Sequence, residues 1–276
     1  MSERKVSDSK RSEAKLLEED TAIIPAAAAT PAAPVDLLHT AADPALTENL
    51  ALSLLKRADL HPEVIEQLAR NASALKSRKV KIALASHPHT PRHVSVPLAR
   101  QFYTFDLMKV ALAPGVPADV KVAVDDVLIS RLKAVTTGER LTLARRASGR
   151  VAAALLLDSE NAGAMAAAKA ADAKPVARGT RILLIALDNP RLTESLVINS
   201  VLSSAASAAL VEAVARHAKW SRRKEIRAAL LRTEHLSLAR ALEFSREVSA
   251  AQLQEVLATS RLPEKIKDQL LREKLA

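Results

Sequence analysis

Basic side chains recur at matched positions along this chain: Arg70 with Arg216, Lys76 with Arg222, Lys81 with Arg227 and Arg100 with Arg246. Arg78 and Arg223 lie close to two of these pairs in sequence. Stacked repeats would line such positions along one edge, and a ridge of guanidinium and ammonium groups would neutralise several phosphates in a salt-dependent way. The same charges also suit an ordinary solvated helix face. A second cluster is aromatic: Phe102, Tyr103 and Phe105 fall beside Asp106. It reads either as a docking patch, since such side chains anchor partners, or as filling for a wide gap in the core. Asp106 fits the first turn of a helix capped by Thr104, where the helix dipole favours a carboxylate.

Three histidines, His87, His89 and His93, have spacing that suggests zinc. A proline-rich turn interrupts them and no carboxylate is close in sequence, so no metal site is assigned. Arg145, Arg146, Ala147 and Ser148 match a basophilic kinase target, yet a helix cap accounts for Ser148, with Gly149 relieving the turn. No nucleophile elbow, phosphate loop or dinucleotide fingerprint is present. We therefore assign no catalytic residue and no cofactor.

The positioning elements are repeated. Residues 61–127 align without a gap onto 207–273 at an offset of 146, with identical pairs that include Glu66/Glu212, Leu84/Leu230, Leu107/Leu253 and Pro117/Pro263. Internal repetition in an apolar, glycine-poor chain predicts stacked helices. Only 5 glycines and 2% aromatics accompany an apolar share of 49%, dominated by Ala, Leu and Val, which suits close-packed helices. A recurring phrase, HPHTPRHV at 87–94 and NPRLTESL at 189–196, stops one helix and starts the next. In the first instance proline ends the helix, Thr90 is placed to cap its successor and Pro91 to open its first turn. About fifteen helices are expected in a curved right-handed stack.

Residues 1–45 carry a net charge of −3 and are rich in alanine and proline, which predicts a flexible arm. The remaining 46–276 carries +13 and forms one domain. No apolar run reaches the roughly 20 residues that span a bilayer. There is no secretory leader pattern and no cysteine, which fits a cytoplasmic protein without a membrane partner.

HPHTPRHVSVPLAR at 87–100 and NPRLTESLVINSVL at 189–202 resemble the leucine-rich-repeat-variant unit, and KWSRRKEIRAALL at 219–231 resembles the inner helix of a HEAT-type repeat. The resemblance implies an all-α, right-handed superhelical α-solenoid over 46–276. The iron–sulfur cluster found beside some arrays of the first family needs cysteines that this chain lacks. Unit spacing is longer than in that family, which favours the HEAT-like description. What such a fold implies is a non-enzymatic scaffold with a protein partner. The alternative is nucleic-acid backbone binding through the basic ridge. A third reading, a HEAT-like DNA glycosylase, resembles the chain in scaffold only, because Trp220 is the single tryptophan and no aromatic-framed Asp with a partner Arg is recognisable.

Overall fold

A computed structural model describes residues 35–158 and 176–275. Among them there is no strand, and seventeen α-helices follow one another. In chain order these are α1 (Val35–Ala42), α2 (Glu48–Leu55), α3 (Pro62–Arg70), α4 (Ala72–Lys76), α5 (Arg78–Ser86) and α6 (Arg92–Ala99). Next come α7 (Thr104–Leu112), α8 (Ala118–Ser130), α9 (Thr137–Arg146), α10 (Gly149–Leu156), α11 (Val176–Leu187) and α12 (Glu194–Leu202). The last five are α13 (Ala208–Arg216), α14 (Lys224–Leu230), α15 (Leu238–Arg246), α16 (Ala250–Ala258) and α17 (Glu264–Leu275). No helix among the described residues is long and apolar enough to cross a membrane.

Short polar residues start many of these helices. Thr47, Asn71, Ser77, Ser148, Thr193, Ser207 and Ser249 each accept a backbone N–H of the first turn, and Thr136 with Glu139 completes a capping box. Such caps satisfy amides that a helix leaves open. Two expected caps are absent. Thr90 turns back to donate to the Leu84 carbonyl at 2.6 Å, so that Pro91 is the N-cap of α6. Thr104 is already helical, and Tyr103 occupies the N-cap of α7.

The principal packing partners lie no more than three helices apart in chain order: α2 on α5, α5 on α7, α6 on α8, α8 on α10, α9 on α11 and α12 on α14. A second set of ties has a period of its own. His87 Nε2 meets the Arg57 carbonyl at 2.8 Å, Arg131 donates to the Phe102 carbonyl, Ser260 to that of Leu231 and Lys274 to that of Ser245. Each donor sits 29 or 30 residues after its acceptor, about one helix pair. Buried and partly buried carbonyls at one junction are thus satisfied by side chains of the next, which locks successive pairs in register.

Helix bounds also recur at the 146-residue offset. The limits of α3 and α13 match at both ends, as do those of α7 and α16, while α5, α6 and α8 share their first residue with α14, α15 and α17. The correspondence reaches further back than residue 61. Val35–Ala42 maps onto the end of α11, Glu48–Leu55 onto α12, and the pairs Leu37/Leu183, Pro44/Pro190, Leu46/Leu192, Thr47/Thr193 and Glu48/Glu194 are identical. Residues 35–45, assigned from sequence to the flexible arm, therefore depart from that reading. Ala41 is fully buried, Leu37 and Leu38 pack against the core, and α1 lies on α3. The alanine-rich composition that suggested an arm here supplies close helix contact instead. The rest of the expected arm, 1–34, lies outside the described residues.

Gly149 opens α10 for a reason other than turn geometry. A Cβ there would stand 2.2 Å from the Arg191 carbonyl oxygen and 3.0 Å from the Leu196 side chain. Gly149→Ala is expected to destabilise by about 1–3 kcal/mol through overpacking against backbone. Gly138, within α9, has nothing within 4 Å of such a Cβ, so Gly138→Ala should be neutral or stabilising by up to about 1 kcal/mol. Urea denaturation followed by circular dichroism separates the two, and equal behaviour would refute the close-approach argument.

Candidate docking surface

The first turns of α2, α5 and α7 stand side by side, since α2 packs on α5 and α5 on α7. Asp106 lies in the first turn of α7, only 1% exposed. Burying a carboxylate there requires a charged partner, and Arg78 of α5 supplies it: Nε at 2.8 Å and a terminal nitrogen at 2.6 Å from the same oxygen. Arg78 in turn lies over the Tyr103 ring, its guanidinium carbon 4.9 Å from the centroid. Tyr103 is 70% exposed and Phe105 38% exposed. Phe102, grouped with them from sequence as a docking patch, is only 4% exposed and belongs to the core. It closes the α6–α7 junction, and its carbonyl receives Arg131 at 2.6 Å.

Beside this stack is a hollow of about 430 Å³ lined by Glu48, Arg78, Lys79, Ile82, Asp106 and Lys109. Glu48 pairs with Lys79 at 3.2 Å. The Ser77 hydroxyl and the Lys79 ammonium hold its carboxyl below the usual range. Each carboxylate in the hollow is matched to a cation, and Lys109 adds one more. In the second copy the positions of Tyr103, Phe105, Asp106 and Arg78 are held by Ser249, Ala251, Gln252 and Lys224, so this stack has no counterpart there.

The expected basic ridge is distributed among local partners. Arg70 pairs with Glu66, Arg216 with Glu212, Arg223 with Glu194, Arg227 with Glu247 and Arg246 with Glu273. Lys81 donates to the Gln101 amide oxygen, the position that Glu247 fills opposite Arg227. Lys76, Arg100 and Arg222 are exposed. Of the four recurring basic pairs, Arg70 and Arg216 thus recur together with their counter-groups, Glu66 and Glu212. The signal was present: Glu66/Glu212 precedes Arg70/Arg216 by four residues in both copies, the spacing of a helical ion pair.

The histidines serve the junction. His87 is buried, accepts the His89 N–H at Nδ1 and therefore donates from Nε2 to the Arg57 carbonyl, while His89 Nδ1 donates to the Leu60 carbonyl at 2.9 Å. His93 faces Glu66 at 3.6 Å from the exposed side. Among the described residues no group of three or more His, Cys, Asp or Glu side chains is arranged to hold a metal ion. Trp220 is buried, with its N–H donated to the Leu187 carbonyl at 2.8 Å, and does not line the hollow.

Ser148 accepts the Val151 N–H and donates to Asp125 at 2.8 Å, so its hydroxyl is engaged on both sides. Burial pushes the Asp125 carboxyl up, and the Ser148 hydrogen bond opposes that shift. Comparison of the chain with protein-family models, with curated proteins and with solved structures finds no match.

Proposed function

We propose that this chain is a non-enzymatic, cytoplasmic scaffold that docks a protein partner, built as a right-handed superhelical α-solenoid of HEAT-like units over residues 46–276, with the α1–α2 pair as part of the same stack. Packing between helices close in chain order and the junction ties at 29 or 30 residues support the stack. So do the recurring helix bounds, which support an internal duplication.

The observation that carries the docking reading is the exposed Tyr103, whose ring is stacked on an arginine that a buried aspartate holds in place. An aromatic and arginine pair fixed before binding loses little rotamer freedom on contact, which is the character of an interface anchor. Phe105 extends the apolar area. Nucleic-acid backbone binding is the weaker reading, because a phosphate would have to displace a carboxylate from most of the ridge arginines.

A photo-crosslinking residue at Tyr103, compared with one at the exposed Val122, tests this in the native cell. A discrete protein adduct at position 103 and not at 122 is expected. Tyr103→Ala should weaken that partner's binding by about tenfold or more. Its effect on stability should stay within about 0.5 kcal/mol, as befits an exposed side chain. A nuclease-sensitive adduct would transfer the surface to nucleic acid, and equal labelling at both positions would end the docking reading.

A further inference from the structure

Several arginines at the surface of this protein face a carboxylate: Arg57 has Asp59, Arg92 has Asp119, Arg150 has Asp126 and Arg240 has Glu243. Three exposed arginines that face no carboxylate among the described residues share a single groove. Arg145 and Arg146 end α9, Arg181 lies within α11, and α9 packs on α11. With Thr142, Leu141 and Ile185 they line a space of about 390 Å³, and among the described residues no acidic side chain borders it. Arg191, from the next junction, places one guanidinium nitrogen 3.3 Å from the Arg146 carbonyl.

The carbonyl end of α9 attracts two terminal cations and so accounts for Arg145 and Arg146. It does not account for Arg181, which belongs to another helix and ends six residues before that helix does. Three like charges brought to one groove repel one another unless an anion joins them. The groove also has an apolar side, formed by Leu141 and Ile185.

We propose that this groove is a binding site for a phosphomonoester, with the three guanidinium groups on the phosphate oxygens and Leu141 and Ile185 against the carbon skeleton that carries them. A phosphomonoester offers about −1.5 to −2 charges and three acceptor oxygens, which matches a convergent arginine cluster. A polynucleotide backbone would need a row of unpaired cations beyond the groove, and the neighbouring Arg150 is held by Asp126 while Arg191 is on a backbone carbonyl. The site is on different helices from Tyr103 and stands or falls separately from the docking surface.

Isothermal titration of the full chain at low ionic strength, with inorganic phosphate, phenyl phosphate, an alanine-based peptide carrying one phosphotyrosine and a 16-base-pair DNA duplex with hydroxyl ends, tests the proposal. Saturable binding of phenyl phosphate, tighter than that of inorganic phosphate, is expected. Arg181→Gln should weaken it about tenfold, the size of one lost charge-assisted hydrogen bond. Arg240→Gln, remote in sequence and paired with Glu243, should leave it unchanged. Peptide binding well above that of phenyl phosphate identifies a phosphorylated protein as the source, and equal binding a small phosphorylated molecule. Absence of saturable binding by any phosphomonoester overturns the site, as does binding that survives Arg145→Gln with Arg181→Gln. Tighter binding of the duplex than of either phosphomonoester overturns it in favour of a polynucleotide. Unchanged thermal melting of the variants confirms that the fold is intact.

Discussion

Trp220→Ala is expected to destabilise the protein by about 3–5 kcal/mol, the range for removing a large buried aromatic side chain. Two losses combine. The indole is buried in the packing around α11, α13 and α14, and its N–H is the donor to the Leu187 carbonyl at the end of α11. Position 187 corresponds to 41 at the 146-residue offset, and the Ala41 carbonyl is likewise satisfied from a side chain, by Asn71 at 2.9 Å. The residue that corresponds to Asn71 is His217, which turns to Asp188 instead, and the residue that corresponds to Trp220 is the fully packed Ala74. One recurring need, a donor for a carbonyl at the end of a helix, is thus met by different side chains three residues apart. Trp220→Phe keeps an aromatic ring but removes the donor and part of the fused ring system. It should therefore cost less than the alanine change, about 1–3 kcal/mol, chiefly the penalty for one buried acceptor left unsatisfied. Urea titration of both variants by circular dichroism measures the difference. A loss below about 1 kcal/mol for the alanine variant would mean that this region of the chain does not depend on the tryptophan.

This substitution of donors explains what was legible in the sequence. Proline, threonine and serine at the junctions announce where helices stop and start, because their effects are local. The helical architecture is legible from them, and the repeat of 61–127 from identities such as Glu66/Glu212 and Leu84/Leu230 at the 146-residue offset. The extension of the repeat to α1 was hidden because its identities, Leu37/Leu183 and Pro44/Pro190, stand in a segment whose composition suggested a linker. Thr90 differs for the opposite reason: its local pattern is that of a cap, but a carbonyl six residues earlier competes successfully for the hydroxyl. Sites formed across helices were legible only in part. Asp106 and Tyr103 are neighbours in sequence, whereas Arg78, which completes their stack, precedes Asp106 by 28 residues. Arg181 joins Arg145 and Arg146 only because α11 packs on α9, and no local spacing records that contact.

The second large effect tests the duplication in the core. Leu84 and Leu230 occupy corresponding places in α5 and α14, and both are fully buried. Their neighbours correspond as well: Val80 with Ile226, Leu68 with Val214 and Leu107 with Leu253, each without exposed surface. Leu84→Ala and Leu230→Ala are each expected to cost about 2–5 kcal/mol, a transfer term plus the cavity left behind. Similar values are expected from the two sites, since the environment sets the cavity term and the environments are alike. In a chain whose helices pack on near neighbours, the two losses also fall in different stretches. The double variant should therefore be additive within about 0.5 kcal/mol. It should also separate the unfolding of the two regions, because nearest-neighbour coupling between units is what keeps such an array cooperative. Hydrogen exchange resolved by residue reads both. Leu84→Ala should speed exchange in α2, α5 and α7 first, and Leu230→Ala in α12 and α14. Uniform acceleration along the whole chain from either single change would show one indivisible core instead. If one of the two replacements left stability unchanged, the internal correspondence would describe the order of the helices without describing what holds them together.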